Sequence, residues 1–442
     1  MAELPWRVVV VGNMGTASSG PVRLDPDDPD GWMEACALSI EGVPGASGAF
    51  EPRALADLEP SAIRQRLDGG GEGAALDAAL HHPAVQRAEG LARGLRFLLE
   101  HAADQVQVDY LPTNGEAASA AIREQVLAPV DRGEQPVPTL VVVDADVSHQ
   151  GPAFAELQAL AAVGAELPAP VVVGASPQLF GFRYMAHVAN LPDIKGPLAT
   201  PAHQPWVQFQ ASEPARWVAL TLSRFLLRAP YADDEGYTEA ADDAKPDTFL
   251  WGRGTWLVAA AFCRSVTEHG HPLDLAGGGG TFHDMPVRAY PHSGQKIAFA
   301  AETPLPDMRS SELNWAGFTA VVGVLRRPTV VMPMAVTMFR LKPNRLSLEG
   351  TLAYQMLTAR LSQFLTWTLP ELPKGRDALI PALRPALTGF LGTLVGEKPD
   401  EAVKLEPVEI DGQDGEFVQI EVHPDVKLEG KPVSFTFTIR AD

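Results

Sequence analysis

Three short runs of uninterrupted apolar, mostly β-branched residues limit what this chain can fold into: Val8 to Val11, Leu140 to Val143 and Val171 to Val173. A strand with one face in water alternates apolar and polar residues, whereas a strand covered on both faces reads as a continuous apolar run. Each run stops at a residue suited to a turn, Gly12, Asp144 and Gly174. Between the runs the period changes. From Val85 to Leu99 the apolar positions Val85, Ala88, Leu91, Leu95, Leu98 and Leu99 share one helical face, with Arg87, Arg93, Arg96 and Glu100 on the other. Leu352 to Trp367 repeats that pattern through Leu352, Met356, Leu357, Leu361, Phe364 and Leu365. Val106, Val108 and Tyr110 alternate instead and predict a strand nearer a sheet edge. Covered strands separated by helices predict a mixed α/β fold, a layered core of sheet and helix.

The end of the chain is different in kind. Val433, Phe435, Phe437 and Ile439 alternate with Ser434, Thr436 and Thr438, and upstream Val418, Ile420 and Val422 alternate with Gln419 and Glu421. This predicts a β-hairpin. Two strands alone do not hold together in water, so the hairpin has to pair with something, and a sheet shared with neighbouring chains is one solution. On that reading the seven apolar residues just named are candidate subunit-interface residues. Candidate linkers are Glu41 to Gly48, Gly69 to Gly73, the acidic stretch Ala232 to Asp247, the Pro-rich Pro370 to Arg384, and the polar, exposed Glu397 to Pro407.

A length of 442 residues predicts two to three folding units at roughly 150 residues each. Basic residues number 35 against 55 acidic ones, a net charge of −20. Such a surface repels phosphate backbones and anionic lipid, so neither a nucleic-acid partner nor membrane insertion is expected. The two cysteines, Cys36 and Cys263, lie in apolar or small-residue surroundings and predict buried thiols, too few for a disulfide scaffold or a cysteine-based zinc site. The chain starts almost directly with a strand, without the basic and apolar regions of a signal peptide. No stretch approaches the roughly 20 apolar residues that span a bilayer, and the expectation is a cytoplasmic protein.

Four features invite a chemical reading. Val11-Gly-Asn-Met-Gly-Thr16 follows a strand but lacks the Lys-Ser/Thr of a phosphate-binding loop and the third glycine of a dinucleotide fingerprint. Asp144 and Asp146, at the end of a strand with His149 beyond them, suit a Mg²⁺ site or an acid–base pair, but equally a turn or helix cap. His269, His271, His283 and Asp284 are the one histidine concentration with metal-like chemistry. The run Gly277 to Gly280 lies between them, without a Lys or Ser/Thr in phosphate-loop register, and predicts close backbone packing or a flexible turn. No Gly-x-Ser-x-Gly elbow occurs. No catalytic residue, metal ligand or cofactor is therefore assigned, and the chain is not expected to be an enzyme. An α/β enzyme built on Asp144, Asp146 and the His269–Asp284 cluster is the competing reading.

As an ordered series, blocks along the chain resemble the two sheath subunits of type VI secretion systems joined end to end. Glu3-Leu-Pro-Trp-Arg-Val-Val-Val-Val-Gly-Asn-Met-Gly15 and Phe50-Glu-Pro-Arg-Ala-Leu-Ala-Asp-Leu58 are similar to the small subunit. Leu76-Asp-Ala-Ala-Leu-His-His-Pro83 resembles the start of the large one. Trp217 to Tyr231 is similar to that family's Pro-Arg-x-Leu-x-Arg-x-Pro-Tyr block, with Ser223 where proline is usual. Phe249-Leu-Trp-Gly252, the glycine run, Ala301-Glu-Thr-Pro304 and the segment Glu312 to Phe318 follow in order. The resemblance implies a small-subunit-like segment over 1–75, a large-subunit-like core over 76–400 and an interlocking hairpin over 401–442. It further implies self-assembly into helices or rings around an inner tube, with baseplate proteins of the secretion system as further partners; a cap, baseplate or regulatory protein of the same fold that does not polymerise is the alternative within this resemblance.

In that picture Arg224, Arg228, Tyr231, Trp251 and Gly278 are architectural. If the segment 217–231 is helical, Arg224 and Arg228 share a face, and Pro230-Tyr231 ends it at once. The favoured reading is a partly buried pair held by carboxylates or carbonyls, with Trp251 and Trp256 as core anchors. Only Met1 to Pro5 precede the first strand, too little to supply the arm that the family's small subunit donates to a neighbour.

Overall fold

The computed structural model describes residues 4–13, 20–69, 73–233, 236–396 and 398–442. Parts of some sequence readings lie outside the described residues. These are Met14 to Thr16 of the loop after the first strand, residues 70–72 of the glycine run, residues 1–3, Asp234 and Glu235, and Glu397. The chain forms two compact units, Met1–Gln355 and Met356–Asp442.

In the larger unit the covered runs become strands β1 (Trp6–Asn13), β4 (Leu140–Val147) and β5 (Val171–Ala175). They share one sheet with β2 (Val22–Arg23), β3 (Val106–Thr113), β6 (Val218–Leu222) and β7 (Phe318–Ala320), in the order β7-β6-β5-β4-β1-β3-β2. Every pairing is parallel except that of β2 with β3. Val8 to Val11 lie between β3 and β4 with at most 1% exposure, which is why the run carries no polar residue. β3 is the last long strand on its side, with two-residue β2 outside it. The segments read as small-subunit-like and large-subunit-like thus contribute strands to a single sheet.

Three long helices supply apolar faces to this unit. Helix α1 (Pro83–His101) starts at a proline that needs no N–H partner, and buries the stripe from Val85 to Leu99. Helix α2 (Gly151–Glu166) buries Leu157, Leu160, Ala161 and Val163 in the sheet's main apolar cluster. Helix α3 (Gly254–His269) is buried almost all round, with Trp256, Phe262 and Cys263 inside. Burial pushes the thiols of Cys36 and Cys263 up to about 11 and about 12, which leaves both in the unreactive form.

The segment 217–231 is not a helix. It forms β6, turns at Ser223, and continues as Arg224–Leu226, which pairs antiparallel with Trp251–Arg253. Ser223 has φ +74°, a left-handed conformation closed to proline, whose ring fixes φ near −65°. The chain's departure from the family block at this position therefore coincides with a backbone that requires it.

In the smaller unit, β8 (Val403–Val408), β9 (Phe417–Val422) and β10 (Phe435–Arg440) form an antiparallel sheet in that order. The expected two-stranded hairpin therefore has a third strand from its own chain. That strand occupies part of the stretch expected to be an exposed linker: Val403 and Leu405 point inward, Lys404 and Glu406 outward. The Pro-rich stretch is also largely ordered, as helix α4 (Arg376–Leu391). Pro381 and Pro385 lie four apart on its exposed side, where water can take the carbonyls they leave unbonded, while Leu379, Leu383, Leu387 and Leu391 are buried. Residues Arg376–Val395 are long and apolar enough to cross a membrane, contrary to the reading of the sequence, but the buried leucine row is what a core helix of a sheet-and-helix unit also requires.

Candidate functional site

The densest chemistry in the larger unit is a buried ion network around Arg228. Its Nε is 2.6 Å from Glu89 of α1 and its Nη1 is 2.6 Å from Glu239. All three side chains are at least nine-tenths buried. The guanidinium also lies over the Tyr231 ring at 4.1 Å. Tyr231 donates its hydroxyl to Glu59, Glu59 and Glu89 both bind Arg93, and His81 Nε2 lies 3.1 Å from Glu239. Burial alone would raise the Glu239 carboxyl, but hydrogen bonds from His81 and Arg228 hold it at about 2. The network ties α1 to two segments more than 130 residues further along the chain.

Arg224 does not share a face with Arg228. The strand sends it elsewhere, to a two-pronged pair with Glu302 at 2.9 and 3.0 Å. Trp251 donates its indole N–H to the Pro246 carbonyl at 2.7 Å and lies beneath the guanidinium of Arg288 at 5.4 Å. In the glycine run a Cβ at Gly278 would meet open space, whereas one at Gly279 or Gly280 would come within 2.3 Å of Asp274 or 2.8 Å of Ala276. The close backbone approach expected of this run therefore sits one and two residues later.

Arg253 takes both carboxylates of the Asp144–Asp146 pair, Asp146 at 2.8 Å and Asp144 at 2.9 Å. Metal binding or acid–base work there would have to displace a guanidinium. His269 and His271 stack on each other, and His283 faces Thr329. Among the described residues no three His, Cys, Asp or Glu side chains are grouped to hold a metal ion. The residues that reading by sequence missed are the ion-pair partners: Glu89, Glu239 and Glu302 for the arginines, and Arg253 for the two aspartates. One signal was present. Glu89 is four residues after Val85 and three before Ala92, on the apolar stripe itself, where a carboxylate survives only with a partner.

A further histidine, His149, is shifted by its surroundings. His149 and His203 stack at 4.0 Å, and both are more than nine-tenths buried. His203 Nε2 donates to the Leu179 carbonyl, its Nδ1 faces the Thr200 hydroxyl, and His149 Nε2 faces the Gln150 amide. Burial, and then the neighbouring His203, hold His149 below the ordinary imidazole value. For a base held low in the folded state the unfolded chain takes up protons first. Stability is therefore intact above about 6.5 and falls as the pH drops below it. The urea midpoint is expected to be lower at pH 5.5 than at pH 7.5, and His149→Phe, which keeps a ring in the stack, is expected to reduce that difference. An unchanged difference would remove the pair as its source.

In the smaller unit, Val418, Ile420, Val422, Val433 and Phe435 are buried, and Phe437 and Ile439 are half-buried on the same face. Their side chains line the inside of their own unit, so what a neighbour can reach is the backbone edge. The Ala441 N–H donates to Glu416 O at 2.7 Å and the His423 N–H to Ala402 O at 2.8 Å, which fixes the phase of both ladders. On β10 the backbone groups of Thr436, Thr438 and Arg440 then point away from β9. On β8 the outward positions are Val403, Leu405 and Pro407. Arg384 already occupies the Val403 carbonyl at 2.5 Å, and Pro407 has no N–H to offer.

Fold and site together describe an α/β protein whose buried charges serve its architecture and whose second unit presents a sheet edge. Residues 131–337 match the family model described as EvpB/VC_A0108, tail sheath N-terminal domain. Over these residues the chain is similar to the tail sheath proteins of type VI secretion systems. It is 25% identical over 280 residues to the type VI secretion system sheath protein TssC1 of Pseudomonas aeruginosa, a match that covers 55% of this chain and 56% of that protein. The chain thus spans little more than half the length of this curated relative. The solved structure of the anti-feeding prophage baseplate, 6-fold symmetrised, aligns over 97% of this chain and 91% of that one, with a TM-score of 0.46 and 11% identity.

Proposed function

We propose that this chain is a cytoplasmic structural subunit of a sheath-like tubular assembly in a type VI secretion system, assembling with copies of itself around an inner tube. The match of residues 131–337 to the tail sheath domain is the observation that carries this reading. On it, residues 1–75 stand for the small subunit, 76–400 for the large one and 401–442 for the interlocking segment. The inner tube and the baseplate are the other partners. The contact between copies is strand addition to β10, because its outward amides at Thr436, Thr438 and Arg440 are placed for a further strand. On the opposite edge Arg384 and Pro407 obstruct one.

Thr438→Pro tests this without disturbing the sheet. The residue is exposed, its N–H points away from β9, and proline is tolerated on edge strands for that reason. The full chain is expected to give tubes or rings by negative-stain electron microscopy, and the variant discrete particles with the same far-UV circular dichroism. Compact monomers from the unsubstituted chain, or equal assembly by both, would overturn the reading.

A further inference from the structure

Five arginines that line cavities of the larger unit, Arg93, Arg96, Arg183, Arg224 and Arg253, each have an acidic partner. Arg264 of α3 differs from them. Among the described residues it donates only to backbone carbonyls, those of Gly279 and Thr281, and no carboxylate neutralises it. Those three bonds leave two of the five N–H groups of its guanidinium unspent. In a chain of net charge −20, a half-buried cation left to neutral acceptors calls for an explanation.

Arg264 lines a cavity of about 560 Å³, within the range of roughly 300–1,000 Å³ that holds small organic ligands. Its walls are the last two turns of α1 and the segment 281–286, with Phe225 to Leu227 beneath. Four rings form a continuous aromatic patch in it. Phe97 lies 4.7 Å from His101, 5.7 Å from Phe282 and 5.9 Å from Phe225, and His101 lies 5.5 Å from Phe282. The Arg264 guanidinium sits over the Phe282 ring at 4.7 Å, so the cation is held at one end of this patch. Arg93 and Arg96, both already paired with carboxylates, also line it from α1, and Glu100 and Asp284 are the acidic residues of the lining. Phe97 and His101 are only half-buried, so their ring faces are accessible from the cavity. A stacking surface beside an unneutralised guanidinium suits a ligand that is flat at one end and negative at the other.

We propose that this cavity binds a planar aromatic anion of about mononucleotide size, its ring stacked on Phe97 and His101 and its negative group on Arg264. Arg93 joins the cavity wall to the ion network around Arg228, but Arg264, Phe97 and His101, which make the proposed contacts, are not part of that network.

The test is isothermal titration of the full chain with adenosine 5′-monophosphate, with adenosine and inorganic phosphate as the two half-ligands at matched ionic strength. Binding of the nucleotide is expected to be at least tenfold tighter than that of either half, because each half forgoes one of the two contacts. Arg264→Gln keeps a donor for the carbonyls but removes the charge, and is expected to weaken nucleotide binding roughly 10- to 100-fold, the worth of a charged hydrogen bond. Phe97→Leu keeps apolar volume but removes the stacking ring, and is expected to weaken it about tenfold. Thermal melts of both variants report whether the fold is intact, and either variant alone suffices. The proposal is overturned if the nucleotide does not bind at millimolar concentration, if phosphate binds as tightly as the nucleotide, or if a folded variant retains full affinity.

Discussion

Arg228→Ala is expected to cost the larger unit about 3–5 kcal/mol, the usual consequence of leaving buried charge without its partner. The alanine takes a cation from two buried carboxylates at once, leaving Glu89, 0% exposed, with Arg93 alone and Glu239, 1% exposed, with His81 and the Tyr231 N–H. All tryptophans except Trp367 lie in this unit, so urea unfolding followed by tryptophan fluorescence reads mainly its transition. The variant should also weaken the dependence on pH. In the parent chain Glu239 is held at about 2, below its unfolded value, so it contributes stability above about 4.3 that is lost as the pH falls towards 2. Without Arg228 two of the interactions that hold Glu239 low are gone, and less stability is then lost over that range. A loss under 1 kcal/mol, or a pH profile parallel to the parent's, would mean that water reaches the network and that it does not clamp α1 to the later segments.

What the sequence disclosed, and what it concealed, divides along one physical line. Patterns set by a single element were legible: the covered runs that became β1, β4 and β5, the stripe of α1, and the alternation of β9 and β10. Features set by where the chain returns were not. Trp217 to Tyr231 is dense in apolar residues with arginines four apart, as a helix would be, yet a buried strand that turns at a left-handed Ser223 has the same composition. Pro370, Pro373 and Pro381 suggested a linker because local rules forbid proline within a helix. The rule relaxes where Pro381 and Pro385 face water and the leucines opposite are buried. β8 offers only Val403 and Leu405 as an alternating pair, too short a signal to raise it above the polar residues around it. Most concealed of all were the partners of Arg228 and Asp146. Glu89 is 139 residues from the first and Arg253 is 107 residues from the second, so no spacing could have joined them. For the same reason the Asp144–Asp146 pair looked like chemistry in the sequence and is an ion pair in the fold.

The close crossing of α1 and α3 yields the second large effect, and one whose sign depends on background. Trp256 is 1% exposed, and a Cβ built on Gly94 would lie 2.3 Å from its ring. Trp256→Ala is expected to cost about 3–5 kcal/mol through lost contacts and the cavity that remains. Gly94→Ala in the parent chain is expected to cost about 1–3 kcal/mol, because the ring has no room to retreat within a packed core. In the Trp256→Ala background the obstacle is gone. The same Gly94→Ala should then stabilise by about 1 kcal/mol, since alanine is the better helix former and its methyl group enters the vacated space. The measurement is a double-mutant cycle from urea unfolding followed by far-UV circular dichroism, which does not depend on the tryptophan removed. Gly94 occupies the middle of a long helix, where glycine is otherwise a liability, and contact with one ring accounts for it fully only if the two substitutions couple. Additive free energies would separate them, and the glycine would then have to be explained by something other than Trp256.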